Sequence, residues 1–238
     1  MKRRHLILSF CVTLIIAFGG IAVAQQTAAP KKRKAPQEWE PDIAKFEAAD
    51  RETPAPKGGI LFLGSSSIRL WNLKESFPGR VTLNRGFGGS TLADTIYHFD
   101  RLVLPYEPKA MVIYAGDNDV SAGLTADEVF ADFKKLAALI QEKTPGVPAI
   151  YVAIKPSMKR WSMWPTQKAA NDLIASWCAE HEGFDFADIA KPMLADAEPG
   201  QAPKASWFAK DGLHLSPEGY AGWTAVINPL LDKALKAH

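Results

Sequence analysis

Residues 59–67 read Gly-Ile-Leu-Phe-Leu-Gly-Ser-Ser-Ser. Four apolar side chains in a row, stopped by a glycine and three hydroxyls, suit a short strand covered on both faces, as in a parallel sheet. The same unit recurs downstream: residues 81–84, 110–115, 149–154 and 184–186 read as four more strands. Helical stretches fall between them at 68–73, 91–104, 125–143 and 166–181, and a last one runs over 216–235 with a bend expected near Pro229. The clearest is 125–143. Thr125 stands at its N-cap, Glu128 at the capping-box position, and Val129, Phe133, Leu136 and Ile140 repeat at helical spacing. A short helix over 41–49 precedes the first strand. Strands and helices that alternate through short connections specify a parallel sheet with helices on both faces. The expected fold class is therefore α/β, a three-layer α/β/α sandwich on five parallel strands.

The N-terminal stretch reads differently. Lys2, Arg3 and Arg4 precede an apolar run over 6–18, and Ala22-Val23-Ala24 offers a small-x-small cleavage site. Residues 1–24 are expected to be a secretory signal peptide, its apolar part too short for a membrane span. Residues 25–38, with Lys31-Lys32-Arg33-Lys34, read as a basic linker rich in Pro and Ala, and 39–238 as the folded domain. Export to a periplasm or out of the cell follows, with no integral span left after cleavage.

Cys11 would leave with the signal, and Cys178, at helical spacing among Leu173, Ile174 and Trp177, is expected to be a buried small hydrophobe. The formal charge of +2 comes from the N-terminal stretch. Seven of the 28 basic residues but one of the 26 acidic residues precede Trp39, so the rest of the chain carries 21 against 25, a net −4. A mildly acidic domain without a basic stripe excludes the ordinary nucleic-acid binder.

In an open parallel sheet, the loops beyond the carboxyl ends of the strands gather on one edge, where ligands bind. Those loops carry the chemistry here. Ser65-Ser66-Ser67 follows the first strand, Gly86-Phe87-Gly88-Gly89 the second and Gly116-Asp117-Asn118-Asp119 the third, while Asp211-Gly212-Leu213-His214 precedes the last helix. A serine hydroxyl becomes a useful nucleophile when a base takes its proton, a histidine can be that base, and a carboxylate on its other nitrogen fixes the tautomer. Backbone N–H groups and a side-chain amide then serve as donors for an oxyanion. No grouping of His, Cys, Asp and Glu has metal-ligand spacing, and neither metal nor cofactor is expected.

These four blocks resemble the Ser, Gly, Asn and His blocks of the SGNH, or GDSL, hydrolase superfamily, in the same order, across residues 60–220. The run Asn84-Arg85-Gly86-Phe87-Gly88-Gly89 is similar to the N-x-G-x-G-G of the catalytic subunits of platelet-activating-factor acetylhydrolase. The resemblance implies a flavodoxin-like sheet order. It also implies a nucleophile at Ser66, with Asp211 and His214 completing the triad, and an oxyanion hole from the N–H groups of Ser66 and Gly89 and the amide of Asn118. The usual Gly-Asp-Ser is Gly64-Ser65-Ser66 here, which leaves Ser65 and Ser67 as alternatives to Ser66.

The loop over 155–164 should overhang the same cleft. Trp161, Met163 and Trp164 are expected either to line it as an apolar wall or sugar platform or, for one or both Trp, to pack into the helix that follows, with Lys159 and Arg160 meeting an anionic group. Trp207 and Phe208 are read as anchors of the Asp211–His214 loop, the alternative being an opposite wall of the cleft. No long apolar lid helix is visible, so the expected substrate is a short-chain, acetyl-type ester of a small molecule or glycan. A lysophospholipase or thioesterase on the same triad is the alternative, and a non-catalytic binding protein or a flavodoxin-like cofactor carrier is more remote.

Overall fold

The computed structural model describes residues 34–195 and 197–236. The proposed signal peptide, 1–24, lies outside the described residues, and so does most of the linker. Five strands, β1 (Ile60–Gly64), β2 (Thr82–Gly86), β3 (Ala110–Tyr114), β4 (Ala149–Val152) and β5 (Phe184–Ala187), form one parallel sheet in the order β2-β1-β3-β4-β5. The helices are α1 (Glu40–Glu52), α2 (Ser66–Arg69), α3 (Leu73–Ser76), α4 (Leu92–Tyr97), α5 (Phe99–Leu102), α6 (Asp117–Ser121), α7 (Ala126–Lys143), α8 (Trp164–Glu180), α9 (Ala190–Ala195) and α10 (Pro217–Lys236).

Alternation along each buried strand divides the apolar side chains between two cores. Leu61, Leu63, Met111, Ile113 and Tyr151 pack on one face against Phe133 and Ile140 of α7 and Ile174 of α8. Ile60, Phe62, Val112, Tyr114, Ile150 and Val152 pack on the other against Trp71 and against Trp223, Ile227 and Leu231 of α10. Trp223, Ile227 and Leu231 are fully buried, each removal from water being worth roughly 1.5–3 kcal/mol. The α/β/α sandwich is therefore as expected.

The differences lie in the helices beside the sheet's carboxyl edge. The helix expected at 68–73 starts two residues earlier, on Ser66, and lasts one turn before α3. The helix expected over 91–104 breaks at His98, whose backbone (φ −97, ψ 10) leaves the helical region between α4 and α5. His98 is buried and its Nε2–H donates to the Pro36 carbonyl at 2.8 Å. That bond seats the 3₁₀ turn Pro36–Trp39, so the last residues of the expected linker belong to the folded body. Thr125 caps α7 as read: its side chain accepts from Glu128 N–H at 3.3 Å, and its own N–H donates to the Glu128 carboxylate at 2.8 Å. Cys178 is buried as expected, and burial pushes its thiol up to about 12, so it is inert at neutral pH.

The chain runs from β1 to β2 on one side and crosses to β3 on the other, so β1 and β3 flank the topological switch point. Gly64 ends β1 there with φ +126, and a β-carbon on it would lie 1.9 Å from the Tyr114 carbonyl oxygen of β3. The neighbour is backbone and cannot yield. Gly64→Ala is expected to cost more than about 3 kcal/mol, read from the urea midpoint; an unchanged midpoint would contradict this packing.

Candidate active site

Ser66 opens α2, directly beyond β1 and the buried Ser65. Of the three serines, Ser65 and Ser67 are 3% and 1% exposed, whereas Ser66 is half-buried and reaches the cleft. The turn is clamped from β2: Asn84 donates to the Ile68 carbonyl at 2.6 Å and accepts from the Gly86 N–H at 2.9 Å, while Phe87 N–H donates to the Gly64 carbonyl. Gly86 leaves room for this contact, since a β-carbon on it would lie 2.4 Å from the Arg69 nitrogen.

The loop before α10 closes on itself. Ala209 N–H donates to the His214 carbonyl at 2.8 Å, Gly212 turns with φ +65, and a bridge joins Phe208 to Leu215. Phe208 is buried in the second core, and Trp207 fits over Gly219 and Gly222 of α10, where side chains would collide with it. Both act as anchors of this loop. The result brings three side chains into line: His214 Nε2 lies 3.0 Å from Ser66 Oγ, and His214 Nδ1 lies 2.6 Å from Asp211 Oδ2. A carboxylate only accepts, so Nδ1 carries the proton and Nε2 is left to accept from the serine hydroxyl. The other Asp211 oxygen accepts the N–H groups of Leu213 and His214, both at 3.0 Å. Partial burial opposes ionisation of Asp211, but those donors and the imidazole outweigh it and hold the carboxyl at about 2.

Gly89, with φ +92, and Asn118, in the first turn of α6, line a cavity of about 300 Å³ together with Trp39, Gly88, Thr91 and Arg160. The N–H groups of Ser66 and Gly89 donate to no backbone acceptor among the described residues. Asn118 Nδ2 donates to the Ser90 carbonyl at 2.9 Å, which leaves its second hydrogen for the cavity. Buried Asp119 ties the two loops together, accepting from Leu92 N–H and Gly116 N–H, each at 3.0 Å.

Of the two readings of the tryptophan pair, packing at the start of the following helix fits what is seen: Trp161 and Trp164 stack on one another at 6.2 Å, Trp164 starts α8, and neither is in the lining of this cavity. The aromatic wall is instead Trp39, buried against Phe87, with Lys34 over its ring. Nor does the Arg160 guanidinium stand free for an anion: it donates to Asp117 and to Asn118.

Asp117 was a loop residue to the sequence and is the hub of a buried cluster. It accepts from Lys155 at 2.7 Å, Arg160 at 2.7 Å, Gln167 at 3.0 Å and the Tyr114 hydroxyl at 3.3 Å. Lys155 also reaches Tyr114 and the Ser67 hydroxyl. Burial pushes Asp117 up, but the two cations more than offset it and hold the carboxyl at about 2. The sequence signal was a lysine and an arginine, Lys155 and Arg160, in one strand-edge loop.

Residues 69–221 match the GDSL-like lipase/acylhydrolase family. The chain belongs to that family. It is accordingly a carboxylic ester hydrolase, and the family match takes in Gly89, Asn118, Asp211 and His214, beginning three residues after Ser66. No curated protein matches the chain. Among solved structures it is similar to a GDSL-like lipase from Bacteroides thetaiotaomicron (21% identity, TM-score 0.66, 82% of this chain and 98% of that one). It is also similar to a carbohydrate esterase of family 3 from Talaromyces cellulolyticus (19%, 0.60, 76% and 99%). A third likeness is to an acetyl-xylooligosaccharide esterase from a Geobacillus (16%, 0.56, 73% and 94%).

The Asp117 cluster makes a stability prediction. Removing the charge of a buried, paired group strands its partners and costs about 3–5 kcal/mol, so Asp117→Asn should be destabilised by that order at pH 7. Because the folded pKa lies below the ordinary unfolded one, Asp117 contributes fully above about pH 4. That contribution is lost as pH falls towards about 2. Urea titrations from pH 7 to pH 2 should show the variant converging on the parent; a constant gap would contradict the assignment.

Proposed function

We propose that this chain is an exported serine esterase that cleaves short acyl esters, acetyl above all, from a carbohydrate or similar small alcohol. The observation that carries the reading is the unbroken line from Ser66 Oγ through His214 to Asp211. Ser66 Oγ attacks the ester carbonyl carbon while its proton passes to His214 Nε2. The carbonyl oxygen takes the negative charge and is met by the N–H groups of Ser66 and Gly89 and the free hydrogen of Asn118 Nδ2. Collapse breaks the bond to the alkoxy oxygen, which leaves with the proton from His214. Water then repeats the sequence on the acyl-enzyme, releasing the acid and restoring Ser66.

The short-chain reading draws on the sequence, which carries no long apolar lid helix; the cavity lined by Gly89, Asn118 and Trp39 adjoins the oxyanion donors and is not lined by Ser66 or His214. The carbohydrate reading draws on the two fold neighbours that are carbohydrate and acetyl-xylooligosaccharide esterases. Export rests on the basic, apolar and small-residue pattern of residues 1–24. A lysophospholipase or thioesterase would use the same triad. In its favour is an apolar groove of about 650 Å³ between Leu70, Trp71, Leu215 and Tyr220, close in sequence to both Ser66 and His214.

A p-nitrophenyl ester series separates these readings: kcat/KM should be highest for acetate and fall steeply by octanoate, whereas a rise with chain length would favour the lipid reading. Ser66→Ala should lower kcat by at least roughly 10⁴-fold with an unchanged melting temperature; undiminished turnover would move the nucleophile to Ser65 or Ser67. Asp211 stays ionised down to about pH 2, so the loss of activity on acidification should track protonation of His214. A rate that holds level on acidification until the protein unfolds would exclude the imidazole as base.

A further inference from the structure

An asparagine used as an oxyanion donor faces a geometric problem. Half a turn of its amide exchanges Nδ2 for Oδ1 and aims a lone pair at the developing negative charge. Here Asn118 Nδ2 is directed by the Ser90 carbonyl at 2.9 Å, and Oδ1 is held from behind. Both terminal nitrogens of Arg160 donate to Oδ1 at 3.2 Å, and NH1 also donates to the Asp117 carboxylate at 2.7 Å and to the Asp117 carbonyl at 3.1 Å. A guanidinium has no acceptor, so a flipped Asn118 would set donor against donor at Arg160 and acceptor against acceptor at Ser90.

The fork is itself immobilised. Its side chain is 13% exposed, and the Asp117 it grips is fixed by Lys155 and Gln167. The backbone at Arg160 departs from the 3₁₀ turn around it (φ −117, ψ 24).

We propose that Arg160 is a positioning residue for ester hydrolysis, locking the Asn118 amide with its free hydrogen towards the substrate oxyanion and placing a positive charge behind that donor. The arginine sits in the strand-four loop and acts on the strand-three loop, so the oxyanion hole depends on a contact 42 residues away in sequence. This inference rests on the reading of Asn118 as an oxyanion donor, and it assigns Arg160 a role other than contact with an anionic substrate.

The test is steady-state kinetics on p-nitrophenyl acetate with Asn118→Ala, Arg160→Met and the double variant, each checked for its melting temperature. Asn118→Ala should lower kcat roughly 100- to 1,000-fold. Arg160→Met should lower kcat roughly 10- to 100-fold, the scale of a misaimed catalytic group, with KM within about threefold. In the Asn118→Ala background the same arginine change should cost less than about threefold, since the two act through one donor.

Arg160→Lys keeps a cation beside Asp117 and guards against a failure to fold. A single ammonium cannot span the carboxylate and the amide together, so it should melt near the parent and still lose kcat about tenfold or more. Full turnover in that variant, or an equal arginine effect with and without Asn118, overturns the proposal. If Asn118→Ala alone leaves kcat unchanged, the oxyanion reading itself fails and this inference falls with it.

Discussion

A single buried carboxylate, Asp117, holds the loop edge of this sheet together. Taking a charge out of water is costly, and the cost is recovered only when partners with good geometry replace the lost hydration. Asp117 has four: the ammonium of Lys155, the guanidinium of Arg160, the amide of Gln167 and the hydroxyl of Tyr114. They come from strand β3, helix α8 and the loop after β4, and Lys155 reaches on to Ser67 beside the nucleophile candidate. One anion thereby fixes, relative to one another, backbone segments that would otherwise be independent turns.

That constraint explains how short elements can hold a precise site. The helix that carries Ser66 is a single turn, too short to be stable by itself. It is kept in place by Asn84 from β2, by the Tyr220 hydroxyl on the Ser67 carbonyl, and by packing of Ile68 and Trp71 in the second core. The two apolar cores position the strands. The polar tethers, Asp119 between the Gly89 and Asn118 loops and Asp211 within the last one, then aim the groups at the carboxyl edge. Preorganisation of this kind is what lets hydrogen-bond donors stabilise charge in a transition state without first having to turn towards it.

Much of this was legible in the residues. Short apolar runs ending in Gly and Ser give parallel strands their ends, and the Thr125–Glu128 pair announces α7 by local hydrogen bonding alone. Ser66, Gly89, Asn118, Asp211 and His214 stand at strand-edge loops that a parallel sheet must bring together, and their ordered motifs reinforce one another. What escaped depends on contacts distant in sequence. His98, where the helix breaks, bonds a carbonyl 62 residues away, a contact that no periodicity records. Trp161 and Trp164 lie in the loop after β4 and stack on one another outside the lining of the cavity, whereas Trp39, the first residue after the expected linker, lines it. Arg160 looked like a substrate contact because a sequence cannot show that Asp117 is buried beneath it.

Ester hydrolysis at this edge of the sheet depends on the Ser66 hydroxyl being the activated nucleophile. Mass spectrometry of the protein after exposure to a fluorophosphonate tests this directly, with peptide mapping of the adduct. The arrangement predicts one phosphonyl group, located on Ser66 and formed at least roughly 100-fold more slowly once His214 is replaced by Ala. An adduct on any other residue, or labelling that proceeds at the same rate without the imidazole, would contradict it.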